Sequence, residues 1–142
     1  MALPEPMQPP ANFKSVNIHA GVAYVAGHPA ISGTQILAQG VVGRDLTLEQ
    51  GYDAARLTAL SILASLKKEL GELDRVKRWL RAVGYVQTAP DFHDNAKVLN
   101  GFSDLIVELW GENGRHARSA PGQGPSPLNV PIIVDAIVAV AD

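Results

Sequence analysis

Between Ala55 and Leu70 the apolar residues Ala55, Ala59, Ile62, Leu63, Leu66 and Leu70 return at steps of three and four, the spacing of one helix face. Thr47 and Gln50 just ahead match an S/T-x-x-E/Q capping box, and Gly71 follows as a stop, so a helix is predicted over about 48–70. A second helix is predicted over Phe92–Trp110, opened by Pro90-Asp91 and closed by Gly111. Its buried stripe is read as Ala96, Leu99, Phe102, Ile106 and Leu109. Shorter apolar runs read as strands. Phe13–Ile18 and Val22–Ala26 flank His19-Ala20-Gly21 and predict a hairpin. Val76–Gln87 is predicted as a strand, with an amphipathic helix competing over its basic first half. Val130–Val140 is apolar on both alternating faces and interrupted only by Asp135, which suits a central strand.

The order hairpin, helix, strand, helix, strand predicts an α+β fold, a mixed sheet with both long helices packed on one face. The other sheet face would then carry apolar side chains that one chain leaves uncovered, and association through the sheet is the simplest cover. Residues 1–11 hold four prolines in the first ten positions and read as a loosely held arm, leaving 12–142 as a single domain. At 142 residues the chain is long enough to bury one core and too short for two.

Composition narrows the chemistry. There is no cysteine, which removes disulfides, thiolate metal sites and thiol nucleophiles together. Twelve basic against fourteen acidic residues give a net charge of −2, so no general attraction to nucleic acid or to an anionic membrane follows. No apolar run approaches a membrane span, and the N-terminus lacks the basic and apolar regions of a secretory signal, so a cytoplasmic location is expected. His19, His28, His93 and His116 show no metal-ligand spacing, and no metal or cofactor is expected.

Candidate chemistry concentrates near Gly114–Ala120. If this stretch is extended, His116 and Arg118 project to the same side. A guanidinium among apolar neighbours and beside a Gly/Pro loop is a fork for a carboxylate or phosphate, unless it pairs with Asp135 or another acid and merely fixes a strand. His28, in Gly27-His28-Pro29, could face a cleft at a strand end, or lie on the surface. Asn100-Gly101 interrupts helix propensity, and calls for a close backbone approach or a tolerated imperfection. Ser119 lacks a G-x-S-x-G elbow, and Gly40–Gly43 lacks the Lys and Ser/Thr of a phosphate loop. The basic residues Arg75, Lys77, Arg78 and Arg81 read as a solvated face.

Several phrases in fixed order then resemble the Rid family, also called YjgF-like or endoribonuclease L-PSP. They are Val25-Ala26-Gly27-His28-Pro29, Val98-Leu99-Asn100, Ala117-Arg118-Ser119-Ala120, and Pro127 followed by Ile132-Ile133-Val134-Asp135-Ala136-Ile137. Gly40-Val41-Val42-Gly43-Arg44-Asp45, Leu73-Asp74-Arg75-Val76 and Asn100-Gly101-Phe102-Ser103-Asp104-Leu105 resemble its YjgF/chorismate-mutase-like branch. The resemblance implies a chorismate-mutase-like subunit, a homotrimer with clefts at subunit boundaries, and a small 2-imino or 2-enamino acid hydrolysed to a keto acid and ammonia. It matches the carboxylate-clamping arginine to Arg118, with Phe13, Gly27, His28, Asn100 and Ala120 around the cleft. Departures accompany the match. The family's water-positioning acid falls on Ile133, its cleft tyrosine on Phe13, a serine on Ala26 and a cysteine on Ala120. His116 and Asp135 are therefore the candidates for catalysis, with His28 a further possible base.

Two readings follow. In one, the chain binds a small carboxylate metabolite in inter-subunit clefts and hydrolyses an imine, enamine or related C–N bond. In the alternative, favoured by Ile133, it is a non-catalytic metabolite-binding or sensing module. RNA cleavage, suggested by the family's older name, is opposed by the net charge and the scarcity of aromatic residues.

Overall fold

The computed structural model describes residues 2–141. Helix α1 runs Leu48–Leu70 and carries both halves of the capping box, the Gln50 amide donating to Thr47 Oγ1 at 3.1 Å and the Thr47 amide to Gln50 Oε1 at 2.8 Å. Helix α2 runs Asn95–Trp110, three residues later than the predicted start at Phe92. The reason is local: the Phe92 amide closes a turn on Ala89, and the first carbonyl to accept helical bonds is that of Asp94. The buried stripe of α2 is Val98, Leu99, Phe102, Leu105 and Ile106 with Gly101. Ala96 and Leu109 are exposed, contrary to the predicted stripe. At about 100° per residue, Ala96 lies about 120° round the helix from Phe102. Leu109 shares the Phe102 face but sits in the last turn, in an open groove with Leu3 and Leu63.

Among the described residues eight strands accompany the helices: β1 (Val16–His19), β2 (Val22–His28), β3 (Ile31–Ser32), β4 (Gln35–Ile36), β5 (Val76–Gln87), β6 (Ala117–Ser119), β7 (Gly122–Gln123) and β8 (Ile132–Val140). The main sheet has the order β1-β2-β8-β5-β6, with β7 pairing the far end of β5. The β1/β2, β2/β8 and β8/β5 pairs are antiparallel, and β6 and β7 run parallel to β5, so the sheet is mixed. The hairpin turn is Ala20-Gly21, both at positive φ (52° and 77°), the handedness that suits a two-residue turn between twisted strands. β1 starts at Val16 and not at Phe13, which lies in a bend and is 46% exposed. β8 starts after Pro131, which has no amide hydrogen for a ladder. β5 is strand throughout, with Trp79 and Ala82 turned to the core and Lys77, Arg78 and Arg81 outward.

Both helices pack on one face of this sheet. Along β8, Ile132, Val134, Ala136, Val138 and Val140 enter the core, while Ile133, Asp135, Ile137 and Ala139 stand half-buried on the opposite face. Trp79 anchors the core, edge-on to Phe102 and Trp110 at ring separations of 5.9 and 5.4 Å. Gly101 has a direct cause: a Cβ there would come within 2.0 Å of the Tyr52 carbonyl oxygen, so only glycine lets α2 approach α1 this closely. The N-terminal arm is docked rather than loose. Met7 is buried, Gly33 donates to the Glu5 carbonyl, and the Glu5 amide donates to Ser32 Oγ. No helix of the described residues is long and apolar enough to cross a membrane.

Candidate functional site

The short strand β6 lies on the outer edge of β5, in register Arg81–Ala117, Ala82–Arg118 and Val83–Ser119. Ala82 faces the core, so its ladder partner Arg118 projects to the helix side of the sheet and reaches α2. There Nη2 donates to Asn100 Oδ1 at 2.8 Å and to the Ala96 carbonyl at 3.2 Å, and Nη1 donates to Ser103 Oγ at 3.0 Å. All three acceptors are neutral. Among the described residues no carboxylate lies within ion-pair distance of Arg118. A guanidinium has five N–H donors, and these three contacts leave two over.

His116 stands beside it, as the two-residue spacing predicts. Its Nε2 lies 2.9 Å from Ser103 Oγ and its Nδ1 2.7 Å from the Gly114 carbonyl, and its ring meets Phe102 edge-on at 5.5 Å. Burial holds its pKa below the usual imidazole value; the Gly114 bond works against this and the Arg118 charge with it. Ser103 thus joins the arginine and the histidine. Sequence reasoning missed it, although Asn100 and Ser103 are three apart on α2 and therefore neighbours on one helix face.

The remaining candidates lie elsewhere. Asp135 pairs with Val83 across the β5/β8 ladder, so it faces away from the helices and from Arg118. The Arg118–Asp135 ion pair, the alternative reading of that arginine, is not formed, and Asp135 and His116 of one chain are separated by the sheet. Burial pushes the Asp135 carboxyl above its ordinary range, against the influence of the Tyr85 hydroxyl and the Arg81 charge. Gly27 is on the Asp135 side, where a Cβ would press to 2.9 Å from Ile133 Cγ2. A side chain there would force that isoleucine to shift.

His28 is neither a cleft wall nor a surface residue. β2 continues two residues past the predicted end at Ala26, and an irregularity in its register between Val25 and His28 turns the ring inward. It is fully buried, with Nδ1 2.6 Å from the Ala26 carbonyl and Nε2 2.8 Å from Ser65 Oγ on α1. Phe13 borders a separate groove with Met7, Lys14 and Lys68, and Ala120 packs half-buried against the core. Among the described residues no three His, Asp or Glu side chains are grouped as a metal ion would require.

A family model described as "YjgF/chorismate_mutase-like, putative endoribonuclease" matches residues 1–139. Protein TCP17 of Trypanosoma cruzi is 36% identical over 137 residues, covering 96% of this chain and 86% of that protein. Among solved structures, Atu1372 of Agrobacterium tumefaciens, described as of unknown function, superposes with a TM-score of 0.87 at 37% identity, over 92% of this chain and 83% of that one. A "putative endoribonuclease" of Shewanella oneidensis gives 0.93 at 32% identity, over 99% and 93%. Escherichia coli TdcF, solved with bound serine, shares the fold at a TM-score of 0.63 and 17% identity, over 99% and 94%.

Proposed function

From the premise that this chain belongs to the YjgF/chorismate mutase-like family, we propose that it binds a small carboxylate metabolite at Arg118. The observation that carries this is the guanidinium held by three neutral acceptors, with no acid among the described residues paired to it and donors to spare. Such a site lacks only an anion, and a carboxylate that displaces the 3.2 Å contact of Nη2 to the Ala96 carbonyl would take the Nε and Nη2 hydrogens as two parallel charge-assisted bonds. Asn100 fixes the plane of the fork, and His116, kept neutral by burial, adds no competing charge at neutral pH. The family likeness supports the reading, as does the serine bound by TdcF, a molecule of this size and charge type.

The proposal includes assembly as a homotrimer. Among the described residues of one chain nothing covers the sheet face carrying Tyr24, Ile133 and Ile137, and Tyr24 is 48% exposed. A partner seated there would bring its own groups to the Asp135 side of the sheet. Hydrolysis of simple amino-acid-derived imines is expected to be slow or absent, because Ile133 stands where the family's water-positioning acid belongs and Asp135 is remote from Arg118 within a chain. The binding reading therefore takes precedence over the hydrolytic one. Endoribonuclease describes the family model and some relatives, and the net charge of −2 gives no support for carrying it over to this chain.

Calorimetric titration with pyruvate, 2-ketobutyrate and serine, run on the wild type and on Arg118→Ala and Arg118→Lys, tests the reading. At least one carboxylate should bind the wild type, with both variants weakened and lysine restoring little, since it cannot form the fork. Equal affinity in all three proteins would remove Arg118 from the site.

A further inference from the structure

The three side chains around Ser103 form a chain of hydrogen bonds whose direction chemistry fixes. A guanidinium can only donate, so Ser103 Oγ accepts from Arg118 Nη1 at 3.0 Å. A carbonyl can only accept, so the His116 proton sits on Nδ1, bonded to Gly114 at 2.7 Å. In the neutral ring Nε2 is then a bare lone pair, and the one proton of Ser103 points at it across 2.9 Å. The sequence of donors is Arg118 to Ser103 to His116 to Gly114. A serine hydroxyl is thus held between a cation and a base, with the base locked in the productive tautomer by a third group, which is the arrangement that activates nucleophilic serines. Both side chains are half-buried, so the hydroxyl is not sealed in the core.

We propose that Ser103 is a nucleophile and His116 its general base, forming a site for small acyl esters. This requires no bound carboxylate, although it draws on the same guanidinium: one Arg118 N–H holds Oγ and a spare one faces the oxyanion. Ser103 Oγ attacks the acyl carbon while its proton passes to His116 Nε2, and the carbonyl oxygen becomes an oxyanion beside an unused Arg118 N–H. Collapse breaks the carbon–oxygen bond, and the leaving alkoxide takes the proton from Nε2. Water, deprotonated by the same nitrogen, then adds to the acyl carbon, and the bond to Ser103 Oγ breaks as Nε2 returns the proton to that oxygen, so ester and water give acid and alcohol. The orienting group is a neutral carbonyl and the neighbouring charge is positive, so the imidazolium formed during attack is poorly stabilised. The pair is accordingly slow, but it stays unprotonated to a lower pH than an ordinary histidine.

A fluorophosphonate probe tests this on the full chain: Ser103 Oγ would form the bond to phosphorus as fluoride leaves and the proton passes to His116. Peptide mass spectrometry should locate a single adduct on Ser103, with Ser65, bonded to a histidine in the same manner but buried, unmodified as the internal control. Ser103→Ala should abolish the adduct, and His116→Gln should slow it about 10²-fold. The wild-type rate should fall toward acid with an inflection below the usual imidazole value. Ser103→Cys keeps a nucleophile of similar size, and should be alkylated by iodoacetamide faster than the same variant carrying His116→Gln. No adduct in the wild type, an adduct on another residue, or a rate at Ser103 indifferent to pH and to His116 would each overturn the proposal.

Discussion

His28 and His116 make the same hydrogen bonds. Each Nδ1 lies within 2.7 Å of the carbonyl two residues earlier, Ala26 or Gly114, and each Nε2 lies within 2.9 Å of a serine hydroxyl on a helix, Ser65 or Ser103. What separates them is surroundings. His28 is fully buried between β2 and α1, where both ring nitrogens are satisfied and nothing is left to act on a ligand. His116 stands at an open edge with Arg118 on the far side of its serine. One motif therefore serves cohesion in one place and offers reactivity in the other, and only the charge and the exposure distinguish the two.

Removing each ring tests that contrast most strongly. His28→Ala should leave a cavity and an unpartnered hydroxyl, at a cost of about 3 kcal/mol, whereas His116→Ala should cost about 1 kcal/mol. Urea unfolding measures both, and equal losses would erase the distinction. Arg118→Ala comes next. It should weaken a carboxylate ligand tenfold to a hundredfold, about 1.4–2.8 kcal/mol, with a smaller loss of stability. A large stability loss with unchanged affinity in the same calorimetric and unfolding measurements would make Arg118 structural, like His28.

Acidity probes both histidines together. Each has its pKa lowered by burial, so below about pH 6.5 the unfolded chain takes up protons that the folded rings refuse. Stability from this source is complete above that pH and is lost as pH falls through the window beneath it, by at most about 1.4 kcal/mol per unit for each ring. Urea midpoints between pH 7.5 and 5 should show the decline, and His28→Gln should flatten it more than His116→Gln. The smallest difference concerns the hydroxyls. Ser65→Ala should cost about 1–2 kcal/mol by stranding a buried ring nitrogen, and Ser103→Ala less, because water reaches His116. Thermal melts of the two variants would sharpen the comparison, and the reverse order would break it.

Much of this arrangement was legible beforehand. The capping box at Thr47 and Gln50 and the shared side of His116 and Arg118 follow from local spacing, while the strand over Val76–Gln87 and the close approach at Gly101 were each one of two readings that only the packed structure separates. What escaped depends on register between distant strands. Asp135 and Arg118 lie on opposite faces because Ala82, and not Val83, is the ladder partner of Arg118, and that parity is not written in either segment alone. His28 was misplaced because the strand runs on through an irregularity that reverses which residue faces inward. The N-terminal arm is held largely through backbone groups such as the Glu5 carbonyl and amide, which leave no side-chain pattern to read.

The three-residue length of β6 has a consequence beyond the site. The outer strand of a sheet offers unpaired amides and carbonyls on which a strand from another molecule can template, the first step toward fibrils. Here that rim is two short pieces laid along β5, Ala117–Ser119 and Gly122–Gln123, broken at Pro121, which has no amide hydrogen to offer. An incoming strand would find too few ladder positions to hold it. The brevity of the strand that carries Arg118 thus also denies cross-β growth a foothold at this edge.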